Sequence, residues 1–63
     1  MQGSVEKLFY FKNKKYGFIR GGDENSYYFD INAVNFDVRL GDCVLFDGGR
    51  NEKGLIATNV SLV

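Results

Sequence analysis

The stretch Lys14-Lys15-Tyr16-Gly17-Phe18-Ile19-Arg20 holds the residues best suited to surface chemistry. As a strand it sends Tyr16 and Phe18 to one face and Gly17 and Ile19 to the other, because side chains alternate. Two rings two residues apart make an aromatic ledge, which Lys14, Lys15 and Arg20 fringe with positive charge. A ledge of this kind stacks flat heterocycles while its cations attract phosphates. The competing expectation is that both rings face a core, the commoner fate of paired aromatics in strands.

A second stretch, Ser26-Tyr27-Tyr28-Phe29-Asp30-Ile31, also reads as a strand. Only Gly21-Gly22-Asp23-Glu24-Asn25 lies between the two, and this is turn chemistry, so the pair reads as an antiparallel hairpin. Consecutive bulky residues cannot all point inward. If Tyr27 and Phe29 enter a core, Tyr28 joins Tyr16 and Phe18 outside. Three exposed rings on neighbouring strands would mark an interaction surface.

Further elements must hold this hairpin. Gly3 to Lys12 reads as a first strand in which Val5 and Leu8 break the alternation, and a bulge between Val5 and Phe9 would repair it. Phe9-Tyr10-Phe11 cannot share one face, so at least one ring is exposed. Asn13 and its flanking lysines turn the chain into the second strand. After the hairpin, Ile31-Asn32-Ala33-Val34 suits one helical turn within a long connection to Leu40. Phe36, in that connection, either plugs the core or extends the ledge.

Gly41-Asp42 turns into a fourth strand, Cys43-Val44-Leu45-Phe46, with Val44 and Phe46 on one face. Asp47 to Gly54 reads as a glycine-rich charged loop without the following helix that a phosphate cradle needs. Leu55 to Leu62 is the last strand, with Ile56, Val60 and Leu62 expected inward. Five short strands predict an all-β fold, a small five-stranded antiparallel barrel that removes exposed edges.

Sixty-three residues make one domain, 1–63. A chain of this length buries only about 60% of its unfolded surface, so each core residue matters. With no histidine and one cysteine, neither a disulfide nor an ordinary structural zinc site is expected, and no metal or cofactor is called for. Cys43 is expected as a small buried residue, and a free thiol suits a reducing, cytoplasmic setting. No apolar run approaches the roughly 18 residues of a membrane span, and no signal-peptide pattern opens the chain. An enzyme is not expected either. Cys43 has no base beside it, and the acids are scattered through loops.

Net charge is zero, but it is segregated. Up to Arg20, five basic residues stand against Glu6, a balance of plus four; from Gly21 onward, three basic residues stand against seven acids. The basic part carries the ledge. Of ten aromatic residues, eight lie between Phe9 and Phe29, a clustering that an ordinary core would not need.

Taken together, the motifs resemble the cold-shock domain, an oligonucleotide-binding (OB) fold of five strands. Lys14-Lys15-Tyr16-Gly17-Phe18-Ile19 is similar to that family's first motif, Lys-Gly-Phe-Gly-Phe-Ile, with lysine for the first glycine. Tyr27-Tyr28-Phe29-Asp30-Ile31 and Asn32-Ala33-Val34 echo its second, and Gly54-Leu55-Ile56-Ala57-Thr58-Asn59-Val60 echoes its closing segment. The resemblance implies base stacking on Tyr16, Phe18 and Tyr28, with Phe9 where the family has an exposed tryptophan and Tyr10 as its neighbour. It implies backbone contacts from Lys14 and Lys53, a loop ring at Phe36, and further contacts from Lys7, Lys15 and Arg20. Asp30 stands where the family stacks a histidine, and Ile31 replaces another ring.

The implied partner is single-stranded RNA or DNA, bound by a monomer or weak dimer without membrane or small-molecule substrate. RNA-chaperone activity would follow from preferring unpaired strands. Each base stack contributes on the order of 1–3 kcal/mol, so two lost platform positions imply binding weaker than the family's by about ten-fold or more. The alternative is a protein-interaction barrel that has lost most nucleic-acid affinity.

Overall fold

A computed structural model describes residues 1–63. Five strands account for most of the chain: β1 (Gln2–Phe11), β2 (Lys14–Gly21), β3 (Ser26–Asp30), β4 (Cys43–Asn51) and β5 (Gly54–Leu62). One 3-10 turn, Ile31–Ala33, follows β3 where a helical turn was expected. The strands close into a barrel in the order β1-β2-β3-β5-β4, with β4 returning to β1. Four of the five junctions are antiparallel. The fifth, β3 against β5, is parallel and holds at one register position, Tyr28 opposite Ile56. Because β4 runs antiparallel to both β1 and β5, and β3 runs in the same direction as β1, β5 must lie parallel to β3.

Alternation sorts the side chains between core and surface. Val5, Ile19, Tyr27, Phe29, Val44, Phe46 and Ala57 point inward and are buried. The expected irregularity in β1 falls between Val5 and Lys7 and leaves Glu6 as the extra residue. It turns both Val5 and Leu8 toward the core and sends Lys7, Phe9 and Phe11 outside. Gly17 is needed on the inner side. A Cβ there would lie 2.6 Å from the Lys7 carbonyl oxygen and 2.8 Å from the Phe29 ring.

The 31–42 connection seals the barrel from below. Val38 is buried, a core residue that no local periodicity marks, and Phe36 packs half-buried against the same cluster. Of the two fates open to Phe36, the core is the one taken.

Three expectations are corrected. β4 does not stop at Phe46 but runs through Asp47 to Asn51, pairing with β5 after an irregularity between Leu45 and Asp47. Its glycines belong to the strand rather than to a loop: a Cβ on Gly48 would sit 3.0 Å from the Tyr27 ring and press on it. Cys43 is exposed, because Val44 and Phe46 take the inward phase and leave Cys43 and Leu45 on the outside. In β5 the inward residue is Ala57, which puts Ile56 on the outer face beside Tyr28. Asn59, at φ 52°, then re-phases the strand, so that Val60 packs on the core while Leu62 is half exposed.

The β2–β3 turn is latched from inside the barrel. The buried Tyr27 sends its hydroxyl out to donate to the Asp23 carboxylate, which also accepts from Asn25. The Tyr27 hydrogen bond holds Asp23 below its ordinary 3.8 and pushes Tyr27 above its ordinary 10.0. Glu6 is lowered from 4.5 as well, first by the Ser26 hydroxyl and then by Arg20. A carboxylate with a depressed folded pKa contributes stability that is present above its unfolded pKa and lost as pH falls through the folded value. The raised Tyr27 does the reverse, and its contribution disappears as pH climbs through its folded pKa. Thermal midpoints should therefore hold level from about pH 6 to 9 and decline below about pH 4. Asp23→Asn should flatten part of that acid decline. Identical acid slopes for the two proteins would remove the latch from the account.

Candidate nucleic-acid interface

Strand register sets out a grid of side chains on the outer face of β1, β2 and β3. Phe11 stands opposite Lys14, Phe9 opposite Tyr16 and Lys7 opposite Phe18. On the other side of β2, Tyr16 stands opposite Asp30 and Phe18 opposite Tyr28. Ile56 continues the Phe18–Tyr28 row onto β5. Rings on neighbouring strands are thus held at strand spacing by backbone hydrogen bonding alone.

Phe9, Phe11, Tyr16, Phe18 and Tyr28 form one continuous cluster on this face. Tyr16 is its centre, 5.0 Å from Phe9, 5.5 Å from Tyr28, 6.1 Å from Phe18 and 6.2 Å from Phe11 between ring centroids. Phe9, Phe11 and Tyr28 lie within 30° of the Tyr16 plane, while Phe18 meets its neighbours edge-on. Ring pairs of this geometry contribute about 0.5–1.5 kcal/mol each beyond area burial. The rings therefore orient one another before any guest arrives, which lowers the ordering cost of binding. All but Phe11 are half-buried; Phe11 is 56% exposed.

Cations border the cluster unevenly. Lys14 lays its ammonium 5.1 Å from the Tyr16 ring centroid, a cation–π contact that keeps the charge on the platform. Lys53, in the β4–β5 turn, and Lys14 both line a groove of about 540 Å³, together with Phe18, Tyr28, Ile56 and the acidic Glu52. Lys7 flanks Phe18 at the β1 irregularity. Arg20 is already engaged: it donates to Glu6 at 3.0 Å and to the Glu24 carbonyl at 2.7 Å, while Ser26 donates to the same Glu6 carboxylate at 2.6 Å. That network braces the hairpin rather than offering a free positive charge.

The sequence-predicted residues thus divide. Phe9, Lys14, Tyr16, Phe18 and Tyr28 come together, with Lys7 and Lys53 at the margins. Tyr10 and Lys15 face each other across β1 and β2 on the opposite side of the hairpin, with Tyr10 57% exposed and outside the ring cluster. Ile31 and Phe36 pack against the core instead. Asp30 borders Tyr16, but its carboxylate accepts from the Asn32 backbone at 2.9 Å and so caps the 3-10 turn. This gives a structural reason for an acid where a ring was expected.

Phe11 is the functional candidate that sequence reasoning missed. The signal was present: Phe11 is two residues from Phe9 and shares its face once the hairpin register is known.

Fold and surface define a class, a small closed β-barrel with an aromatic cluster on its outer face, compatible with nucleic-acid binding. No family model matches the chain, and no curated protein matches it.

Proposed function

We propose that the chain is a single-stranded RNA- or DNA-binding module of the cold-shock type, an OB barrel whose work is binding rather than catalysis. The observation that carries this reading is the pre-oriented five-ring cluster on the outer face of strands β1 to β3. Splayed bases stack on Phe9, Phe11, Tyr16, Phe18 and Tyr28, and Lys14, Lys53 and Lys7 meet the phosphates. Duplex bases are already stacked on each other and cannot use the rings. Preference for unpaired strands then shifts local melting equilibria, which is RNA-chaperone activity without an energy source. The motif matches in β2, β3 and β5 support the family likeness, and the exposed Cys43 thiol fits a reducing cytoplasm. With Asp30 capping a turn and Ile31 in the core, affinity falls below that of members with a full set of rings.

The test is a titration with oligo-dT, read by tyrosine fluorescence and by NMR shifts of the platform rings. Three available lysines predict a log–log salt slope of about −2, since each single-strand phosphate contact contributes about −0.7. An apolar protein-docking face would bind its partner with almost no salt dependence. Platform rings unmoved by millimolar oligonucleotide would end the nucleic-acid reading.

A further inference from the structure

A second groove, of about 670 Å³, lies on the far side of Tyr28 between β3, the 3-10 turn and β5. Ala33, Val34 and Asn35 line one wall, and Thr58, Asn59 and Ser61 line the other. It shares Tyr28, Asn51 and Ile56 with the groove lined by Lys14 and Lys53, so the two grooves adjoin at those residues. We infer that this β3–β5 groove is a base-reading subsite, seating an unpaired nucleobase of a strand that has crossed the aromatic platform. The inference rests on the proposed single-strand binding and extends it from stacking to selectivity.

The occupant follows from the lining. No lysine or arginine reaches the groove, and its one charged residue is Asp30, so a phosphate is disfavoured there. A nucleobase is neutral, with apolar faces and a polar edge, and the groove matches it with apolar walls and polar groups. Asn51 accepts from the Lys53 backbone through its side-chain oxygen at 2.9 Å, leaving its amide nitrogen to donate. Backbone supplies more. β3 and β5 pair only at Tyr28 and Ile56, so the edge of β5 from Thr58 to Ser61 faces the groove without a strand partner. The unpaired N–H and C=O groups of a strand edge can hydrogen-bond a base edge. Stacking on the platform tolerates every base, because every base has a π face. Hydrogen bonds to a base edge do not, and a good pair of them discriminates by roughly ten-fold or more.

The experiment measures affinity for single strands of roughly 3 to 8 nucleotides, for the wild type and for Ala33→Leu and Thr58→Leu. Both substituted residues are exposed and sit on opposite walls, so each narrows the groove without entering the core. Unchanged thermal midpoints establish folding, and either variant suffices if the other is destabilised. The expected result is an affinity step of roughly ten-fold as the strand lengthens, dependent on the identity of its terminal base. Both variants should lose that step while binding the shortest strands as the wild type does.

A step that survives in both variants, or no step at all, overturns the subsite and leaves the platform intact. Equal losses at every length also overturn it. If no strand of any length binds, the platform reading falls and the subsite goes with it. An extended peptide that shifts the Thr58–Ser61 amides while oligonucleotides leave them unmoved would make the groove a strand-pairing site for protein and overturn the inference.

Discussion

Tyr16→Ala should weaken oligo-dT binding about 10- to 100-fold while the barrel stays folded. A lost base stack alone is about 1–3 kcal/mol, and Tyr16 does more than stack. It is the ring against which Phe9, Phe11, Phe18 and Tyr28 all rest, and its face holds the Lys14 ammonium. Removing it frees those rings and that charge to take other rotamers, so the remaining stacks must be ordered at the moment of binding. The fold loses less, because Tyr16 points away from the interior that Ile19, Phe29 and Val44 fill. Tyr10→Ala is the matched control: it deletes an equally large ring from the β1–β2 hairpin but from outside the cluster, and affinity should stay within about two-fold. Wild-type affinity for Tyr16→Ala, or equal losses for the two variants, would mean that the cluster is not the binding surface.

The adjacent residue should give the opposite result. Gly17→Ala should lower the thermal midpoint by about 10 °C or more, with the rings on the outer face left in place. The added methyl meets backbone, the Lys7 carbonyl oxygen at 2.6 Å, as well as the Phe29 ring at 2.8 Å and Leu8 at 3.0 Å. Phe29 is 1% exposed and has nowhere to withdraw. Overpacking a well-filled core costs about 1–3 kcal/mol. A domain of this size has roughly 3–9 kcal/mol of stability in total. At about 4–8 °C per kcal/mol for small domains, even the middle of that range is visible in a melting curve. A wild-type melt for Gly17→Ala would show that β1 and β2 do not approach as closely as described. One residue thus serves the surface and the next serves the interior, because strand side chains alternate.

Much of the site was legible for that same reason. The run Tyr27-Tyr28-Phe29 can bury two rings only by exposing the third, and Tyr28 is the one outside. The break between Val5 and Leu8 announced an irregularity in β1, and the register shift lies there. The glycine-rich turn at Gly21–Asn25 set the β2–β3 hairpin, and the hairpin carries three of the five rings.

Residues whose fate depends on distant partners were not legible. Arg20 reads as a free cation until Glu6 and Glu24 are folded against it. Phe36 could have joined the platform, and only the barrel beside it supplies the apolar cluster that takes it instead. Gly48 and Gly49 look like loop until β5 pairs with them and the Tyr27 ring packs beside Gly48.

Local chemistry by itself therefore determined the five strands, the β2–β3 hairpin and which of its rings stay in water, since a two-residue period and turn preferences act over a few bonds. Tertiary structure alone decided the parallel closure of β3 on β5, the extension of β4 to Asn51 and the entry of Phe36 and Val38 into the core. Each of these depends on contacts between segments far apart in the chain, which a two-residue period cannot specify, and a single irregularity reverses which face every later residue of a strand occupies.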